Sequence, residues 1–260
     1  LYVRPERASS IIRLLIPKAF RIEFALPISI LHTNDFHGTM TSERAARLSE
    51  LRSSRDLYFD TGDAIKAGNL AVPLAPEAVW PRLSALRCTA SVLGNRETHV
   101  FEGAFRAKLA GADHPILCAN LVRKDGSRPL PGSLELEVRG VRVGVFGVMV
   151  PMVTSRMKTQ GASAYLWEEP LSVAARLAAE LRPRVDLLIA LTHIGHRSDL
   201  ALAEAVPSLD AILGGHSHTV LESPVMVGHT AICQGGSHGR FAGVYEWDSN
   251  GGWRGGLLSL

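Results

Sequence analysis

The sequence predicts one layered α/β domain. Three observations carry this: strands and helices alternate through the first half, the later strands are apolar enough to be covered on both faces, and polar clusters begin where apolar runs end. The last feature is how an open α/β sheet presents a site, at the carboxyl ends of its strands. No internal repeat and no linker divides the chain.

Taken in order, PISILH is a short branched apolar run that stops at Asn34-Asp35-Phe36-His37-Gly38. A helix is expected from Ser42 to about Ser53, with Ala45, Leu48 and Leu51 on one face. DLYFD reads as a strand ending at Thr61-Gly62-Asp63, and residues 74–87 read as helical, with Pro81 beginning or kinking the element. CTASVLG is the third strand, GAFRAKLAGA a helix, and PILCAN a fourth strand ending at Asn120. Residues 121–133 are turn-rich, and LELEVRG with VRVGVFGVM forms a hairpin pattern. EEPLSVAARLAAELR has a strong helical period with Pro170 in its first turn. VDLLIALTH and AILGGHSH are read as strands ending in His193 and in His216 and His218. VMVGHTAICQGG, FAGVYEWD and a glycine-rich tail complete the chain.

Composition narrows the function classes. Apolar residues make up 46% and charged residues 20% of 260, which argues against disorder. Lysine plus arginine number 28 against 25 acidic residues, and this balance of +3 is too small and scattered for a nucleic-acid surface. Cys88, Cys118 and Cys233 lie outside any CxxC unit; buried free thiols are expected, with one disulfide as the alternative. Residues 1–27 read as an N-terminal extension or an extra strand over the core. Arg13, Lys18 and Arg21 interrupt any continuous apolar stretch, so the segment is neither a clear signal peptide nor a membrane span. That leaves both a cytoplasmic and an exported location open, and it leaves the oligomeric state open.

The strand-end groups in chain order are Asp35, His37, Asp63, Asn95, His193, His216 and His218. Such a mixture of nitrogen and oxygen donors suits Mn²⁺, Fe²⁺ or Zn²⁺ and suits Ca²⁺ poorly. The single carboxylate of Asp63 can bridge two ions about 3.5–4 Å apart, and such a pair would aim a bridging hydroxide at phosphorus. No side-chain nucleophile is apparent, since no G-x-S-x-G elbow and no phosphate-binding Walker loop occurs. Each group has an ordinary alternative: a turn for Asp35-x-His37, a helix cap for Asp63, a left-handed turn position for Asn95, a core histidine for His193. Their repetition at the ends of apolar runs favours the metal.

The ordered set LHTNDFHG, DTGD, LGNRE, ALTHIGH and LGGHSH resembles the motifs of calcineurin-like metallophosphoesterases, and within them the 5'-nucleotidase and 2',3'-cyclic-nucleotide phosphodiesterase branch. The resemblance runs from about residue 28 to 245 and implies a four-layer α/β/β/α sandwich with mixed sheets. It also implies that Asp35, His37 and His218 hold one divalent ion, that Asn95, His193 and His216 hold the other, and that Asp63 bridges them. CANL resembles the strand segment after the third motif, which makes Asn120 a candidate substrate contact. AICQGGSHGRFAGVYEW resembles the last sheet segment of that domain. The activity implied is hydrolysis of a small phosphomonoester or phosphodiester, nucleotide-like or not. No stable nucleic-acid partner is expected, because no basic-aromatic stripe accompanies the site.

The chain departs from the pattern in two places. The family reads GNHE where this chain has Gly94-Asn95-Arg96-Glu97, and His99 stands where an orienting aspartate is usual. Arginine does not deliver a proton, yet its fork can bind a phosphoryl oxygen or a departing alkoxide. His99 is the candidate to restore proton transfer; the alternatives are a salt bridge from Arg96 to Glu97 or Glu102 and a solvent-facing turn for His99. Arg96 also motivates the competing expectation of a metal-containing protein that binds a phosphorylated ligand with little turnover. Secondly, members of that branch continue into a domain that stacks the base between aromatics. Residues 28–260 are expected to form the catalytic domain alone, with Phe36 or Tyr165 as aromatics that either meet substrate or pack in the core.

Overall fold

The structure is a computed structural model and describes residues 27–260; the extension expected over residues 1–27 lies, apart from Pro27, outside the described residues. The first half runs β1 (Ile28–Thr33), α1 (Ser42–Arg52), β2 (Leu57–Asp60), α2 (Val79–Ala85), β3 (Ala90–Val92), α3 (Glu102–Leu109) and β4 (Ile116–Leu117). It continues through β5 (Leu121–Arg123), β6 (Ser133–Val138), β7 (Val141–Met149), β8 (Tyr165–Trp167), α4 (Pro170–Leu181), β9 (Leu187–His193), α5 (His196–Ala205) and β10 (Ala211–Leu213). The last strands are β11 (Val225–Val227), β12 (Thr230–Cys233), β13 (Phe241–Asp248) and β14 (Gly252–Ser259).

Two six-stranded sheets form the centre, ordered β14-β13-β1-β2-β3-β4 and β11-β12-β10-β9-β7-β6. Both are mixed. In the first, β1 runs parallel to β2 and antiparallel to β13; in the second, β9 runs parallel to β7 and β10, while β6 and β11 close the edges antiparallel. Their facing sides share one core, in which Ile30, Phe59 and Val92 meet Val145, Ile189 and Leu213. Leu48, Trp80, Leu83 and Phe105, from α1, α2 and α3, pack on the outer face of the first sheet. Val173, Leu177 and Leu181 of α4, with Leu202 of α5, cover the second. The architecture is therefore the four-layer α/β/β/α sandwich. A central strand such as β9, LLIALTH, is buried at every residue because it has helices on one side and a sheet on the other.

Several boundaries differ from the sequence expectation. The helix expected over residues 74–87 begins only at Val79, with Pro81 in its first turn, so residues 69–78 form a loop. AILGGHSH is strand for three residues and then loop, which frees His216 and His218 from the sheet. Helix α5 was not anticipated: it places Asp199 on its buried face, which breaks the apolar period. The glycine-rich tail is not loose either. It forms β14, paired with β13 from Phe241↔Ser259 to Asp248↔Gly252. All three cysteines are free and buried. Phe36 and Tyr165 are both core residues, so packing is their role. Among the described residues, no helix is long and apolar enough to cross a membrane.

Candidate metal centre

The carboxyl ends of β1, β2, β3, β9 and β10 lie on one side of the sandwich; His193 is the last residue of β9, and each of the other four strands hands its chain to a loop carrying one or two of the remaining six candidate ligands. These loops turn sharply. Asp35, His37, Asp63, His216 and His218, five of the seven, have positive φ, between 50° and 77°. Each such residue costs about 1–2 kcal/mol relative to ordinary backbone, so the surrounding bonds must hold it there. They do: Asp35 N–H donates to Gly62 O at 2.9 Å, and His37 N–H to Asp63 O at 2.8 Å.

The first half-site is built from Asp35, His37 and His218. Asp35 Oδ2 accepts from Asn34 Nδ2 at 2.7 Å and from His216 N–H at 2.9 Å, which turns Oδ1 the other way. Oδ1 is buried without a hydrogen-bond partner and lies 3.3 Å from His218 Nε2 and 3.7 Å from His37 Nε2. The two Nε2 atoms are 2.9 Å apart, so three lone-pair donors converge on one point. Burial, then the charge of Arg96, pulls His37 down to about 4 and keeps its ring neutral, the form a metal requires.

The second half-site holds Asn95, His193 and His216. Asn95 Oδ1 lies 3.1 Å from His193 Nε2 and 2.9 Å from His216 Nδ1. His193 Nδ1 is 2.7 Å from Thr61 O; it donates its proton there and leaves Nε2 as the ligating atom. Burial lowers His193, but the Asp63 carboxylate outweighs it and the ring ends raised to about 9. His216 is lowered, chiefly by burial and then by His193.

Asp63 faces both halves. Its Oδ2 lies 3.9 Å from His37 Nδ1, and its Oδ1 lies 3.5 Å from His193 Nε2 and accepts from Arg96 N–H at 2.7 Å. Within the described residues, two groups of acidic and imidazole donors could hold an ion, Asp35–His37–His218 and Asp35–Asp63–His193. The donor set fits a divalent pair: a buried carboxylate oxygen without a partner, four imidazoles and an amide oxygen gather between the loops.

Three supporting residues were missed in the sequence. Buried Glu97 accepts four backbone N–H groups, from Asp63 at 2.9 Å, Ala64 at 2.9 Å, Ile65 at 3.1 Å and Gly94 at 3.0 Å. Burial pushes it up to about 7, and the Asp63 charge adds to that. The bracket requires glycine at 94, where a Cβ would collide with Asp63 N, Asp63 Oδ1 and Glu97 Oε2. Asn69 Oδ1 accepts from Asn95 Nδ2 at 3.0 Å, which orients the amide so that its oxygen faces the two imidazoles. Buried Lys108 donates to Gly68 O at 2.7 Å, Asn69 O at 3.1 Å and Arg96 O at 2.6 Å, tying the Asn69 and Arg96 segments together. Glu97 belongs to the quoted LGNRE stretch, but its partners are backbone groups that side-chain spacing does not reveal.

Arg96 lines the cavity of about 390 Å³ above these ligands. It pairs with neither Glu97 nor Glu102: Nη1 donates to Lys66 O at 3.2 Å and Nε lies 4.0 Å from Asp63 Oδ2. His99 does not line the cavity; its Nδ1 accepts from Phe101 N–H at 3.0 Å and its ring packs on Phe101. Asn120 is fully buried, donating to Met149 O and Glu168 O and accepting from Met149 N–H. With its amide fully engaged in joining β7 to neighbouring loops, Asn120 is a structural residue here and not the substrate contact expected of it.

The sandwich, with its strand-end cluster of histidine, aspartate and asparagine, defines the class of metal-centre α/β/β/α proteins. The pattern of the calcineurin-like phosphoesterases matches residues 28–220, and the chain belongs to that family. It is 25% identical over 232 residues to the uncharacterized metallophosphoesterase YunD of Bacillus subtilis, covering 84% of this chain and 49% of that protein. It is 28% identical over 231 residues to a 5'-nucleotidase of Diplobatis ommata, covering 78% and 40% respectively. The solved 5'-nucleotidase precursor from Thermus thermophilus superposes with a TM-score of 0.73 at 25% identity, over 90% of this chain and 54% of that one. The chain thus spans half or less of the length of these curated relatives.

Proposed function

We propose that this chain hydrolyses small phosphoesters at a dinuclear centre. Asp35, His37 and His218 would hold one ion, Asn95, His193 and His216 the other, and Asp63 both. The observation that carries the reading is Asp63, whose two oxygens address opposite half-sites within 4 Å. When bound, a pair of Mn²⁺, Fe²⁺ or Zn²⁺ ions supplies an activated water and neutralises charge on phosphoryl oxygens. The chain's own part is to hold and orient. Thr61 O fixes the tautomer of His193, Asn69 fixes the amide of Asn95, and Glu97 fixes the loop of Asp63. Arg96 offers guanidinium donors to phosphoryl oxygens that gain charge as the ester bond breaks.

Relatives named 5'-nucleotidase bring nucleotide monoesters into the substrate panel. The test is metal quantification coupled to hydrolysis of p-nitrophenyl phosphate, its bis-ester and a nucleoside monophosphate with added Mn²⁺. Two equivalents of metal with turnover of at least one ester support the reading; two equivalents and phosphate affinity without turnover would replace it with phospholigand binding. Arg96→His sharpens the role of the guanidinium. A gain confined to esters with poor leaving groups shows that a proton donor was missing, whereas a uniform loss across leaving groups shows that Arg96 clamps phosphate.

A further inference from the structure

His238 lies in the loop between β12 and β13 and lines the same cavity as Arg96 and the ligand histidines. It is exposed, with its ring centroid 4.8 Å from that of His37 and 5.9 Å from that of His218. Its backbone is left-handed, at φ 59°, the conformation shared by five of the candidate ligands. Gly236 and Gly239 on either side already supply positive φ, so turning the chain does not by itself call for a histidine between them. The conformation is held by His238 N–H donating to Asp35 O at 2.7 Å, which couples the residue to the first half-site. Yet His238 is in neither group of converging ligand atoms, so it is not an eighth ligand.

The ring is polarised by buried Ser237, whose Oγ lies 2.9 Å from His238 Nδ1. With the hydroxyl donating to Nδ1, the neutral imidazole carries its proton on Nε2, for which no partner occurs among the described residues. We infer that His238 is a substrate-contact residue that donates Nε2–H to a phosphoryl oxygen of the bound ester, beside the first half-site. The inference rests on the phosphoester reading for the identity of the ligand, and its geometry is separate from that of Arg96, which packs at Asp63.

His238→Asn is the variant of choice, because asparagine tolerates the left-handed backbone while falling short of the imidazole's reach. Three quantities are measured on manganese-loaded protein: bound metal, affinity for inorganic phosphate by calorimetry, and kcat and KM for bis-p-nitrophenyl phosphate. The variant is expected to keep the wild-type metal content, to bind phosphate about five- to tenfold more weakly and to lose kcat/KM by a similar factor, the size of one neutral hydrogen bond. Phosphate affinity and kcat/KM both within twofold of wild type would overturn the inference. So would a loss that tracks loss of metal, since His238 would then support the ions and not the substrate. If wild-type protein turns over no ester while His238→Asn still weakens phosphate, the catalytic reading fails and the contact stands.

Discussion

The two half-sites use similar ligands but are built differently. In the second, two donors and the shared loop are held by named partners: His193 by buried Thr61 O, Asn95 by Asn69 at the surface, and the Asp63 loop by the four bonds to buried Glu97, while His216 stays exposed. In the first, His218 is exposed, and His37 Nε2 and His218 Nε2 approach to 2.9 Å around an unpartnered Asp35 oxygen. The second half-site is braced by groups outside the ligand set; in the first, the two imidazoles are close enough to hydrogen-bond to each other, a contact that a cation would replace.

Several substitutions can break or sharpen this contrast. Asp63→Asn removes a charge from both halves, so kcat/KM should fall by about three orders of magnitude or more, with metal content dropping below two. Unchanged metal content and kcat would refute the shared role. Glu97→Gln places an amide NH₂ against backbone donors; about 3 kcal/mol of stability and about 6–12 °C of melting temperature should be lost. A calorimetric melt checks this, and Asp63 should weaken with it.

Asp199, buried behind the second half-site, accepts from Thr192 Oγ1 at 2.6 Å. Burial pushes it up to about 7, with the Thr192 hydroxyl and then His193 pulling the other way. The folded protein therefore binds this proton more tightly than the unfolded chain between about pH 4 and 7. Stability from this group is full below the unfolded pKa and is lost as pH rises through about 7. Asp199→Asn should raise the melting temperature by about 3–6 °C at pH 8 and by little at pH 4. An equal shift at both would rule out the linkage. The smallest expected effect is that of Asn69→Ala, which should weaken the second ion about tenfold and leave the first unchanged, read by metal titration. Equal weakening of both ions would erase the distinction between the halves.

The sequence made the seven candidate ligands legible because each follows or ends an apolar run and lies within three residues of a glycine, a local pattern that survives without knowledge of tertiary contacts. The four-layer order was implied only by the resemblance to the calcineurin-like phosphoesterases, whereas the buried strand β9 was legible from its unbroken apolar run. Helix α5 and the Glu97 bracket were not. Asp199 and Glu97 are charged residues placed in the interior, where period and polarity read them as surface. Asn120 was misread in the opposite sense: a polar strand end that satisfies the backbone of Met149 and Glu168 looks, in sequence, like one that faces a ligand. His238 shared the glycine-flanked pattern of the ligands, but its stretch was read for the strand that follows it.

The most direct test is a manganese titration of the wild-type protein followed by electron paramagnetic resonance. Two equivalents should bind, and the six-line signal of isolated Mn²⁺ should collapse into that of a coupled pair as the second ion enters beside Asp63. Saturation at one equivalent, or two ions that remain magnetically independent, would contradict a centre joined by this carboxylate.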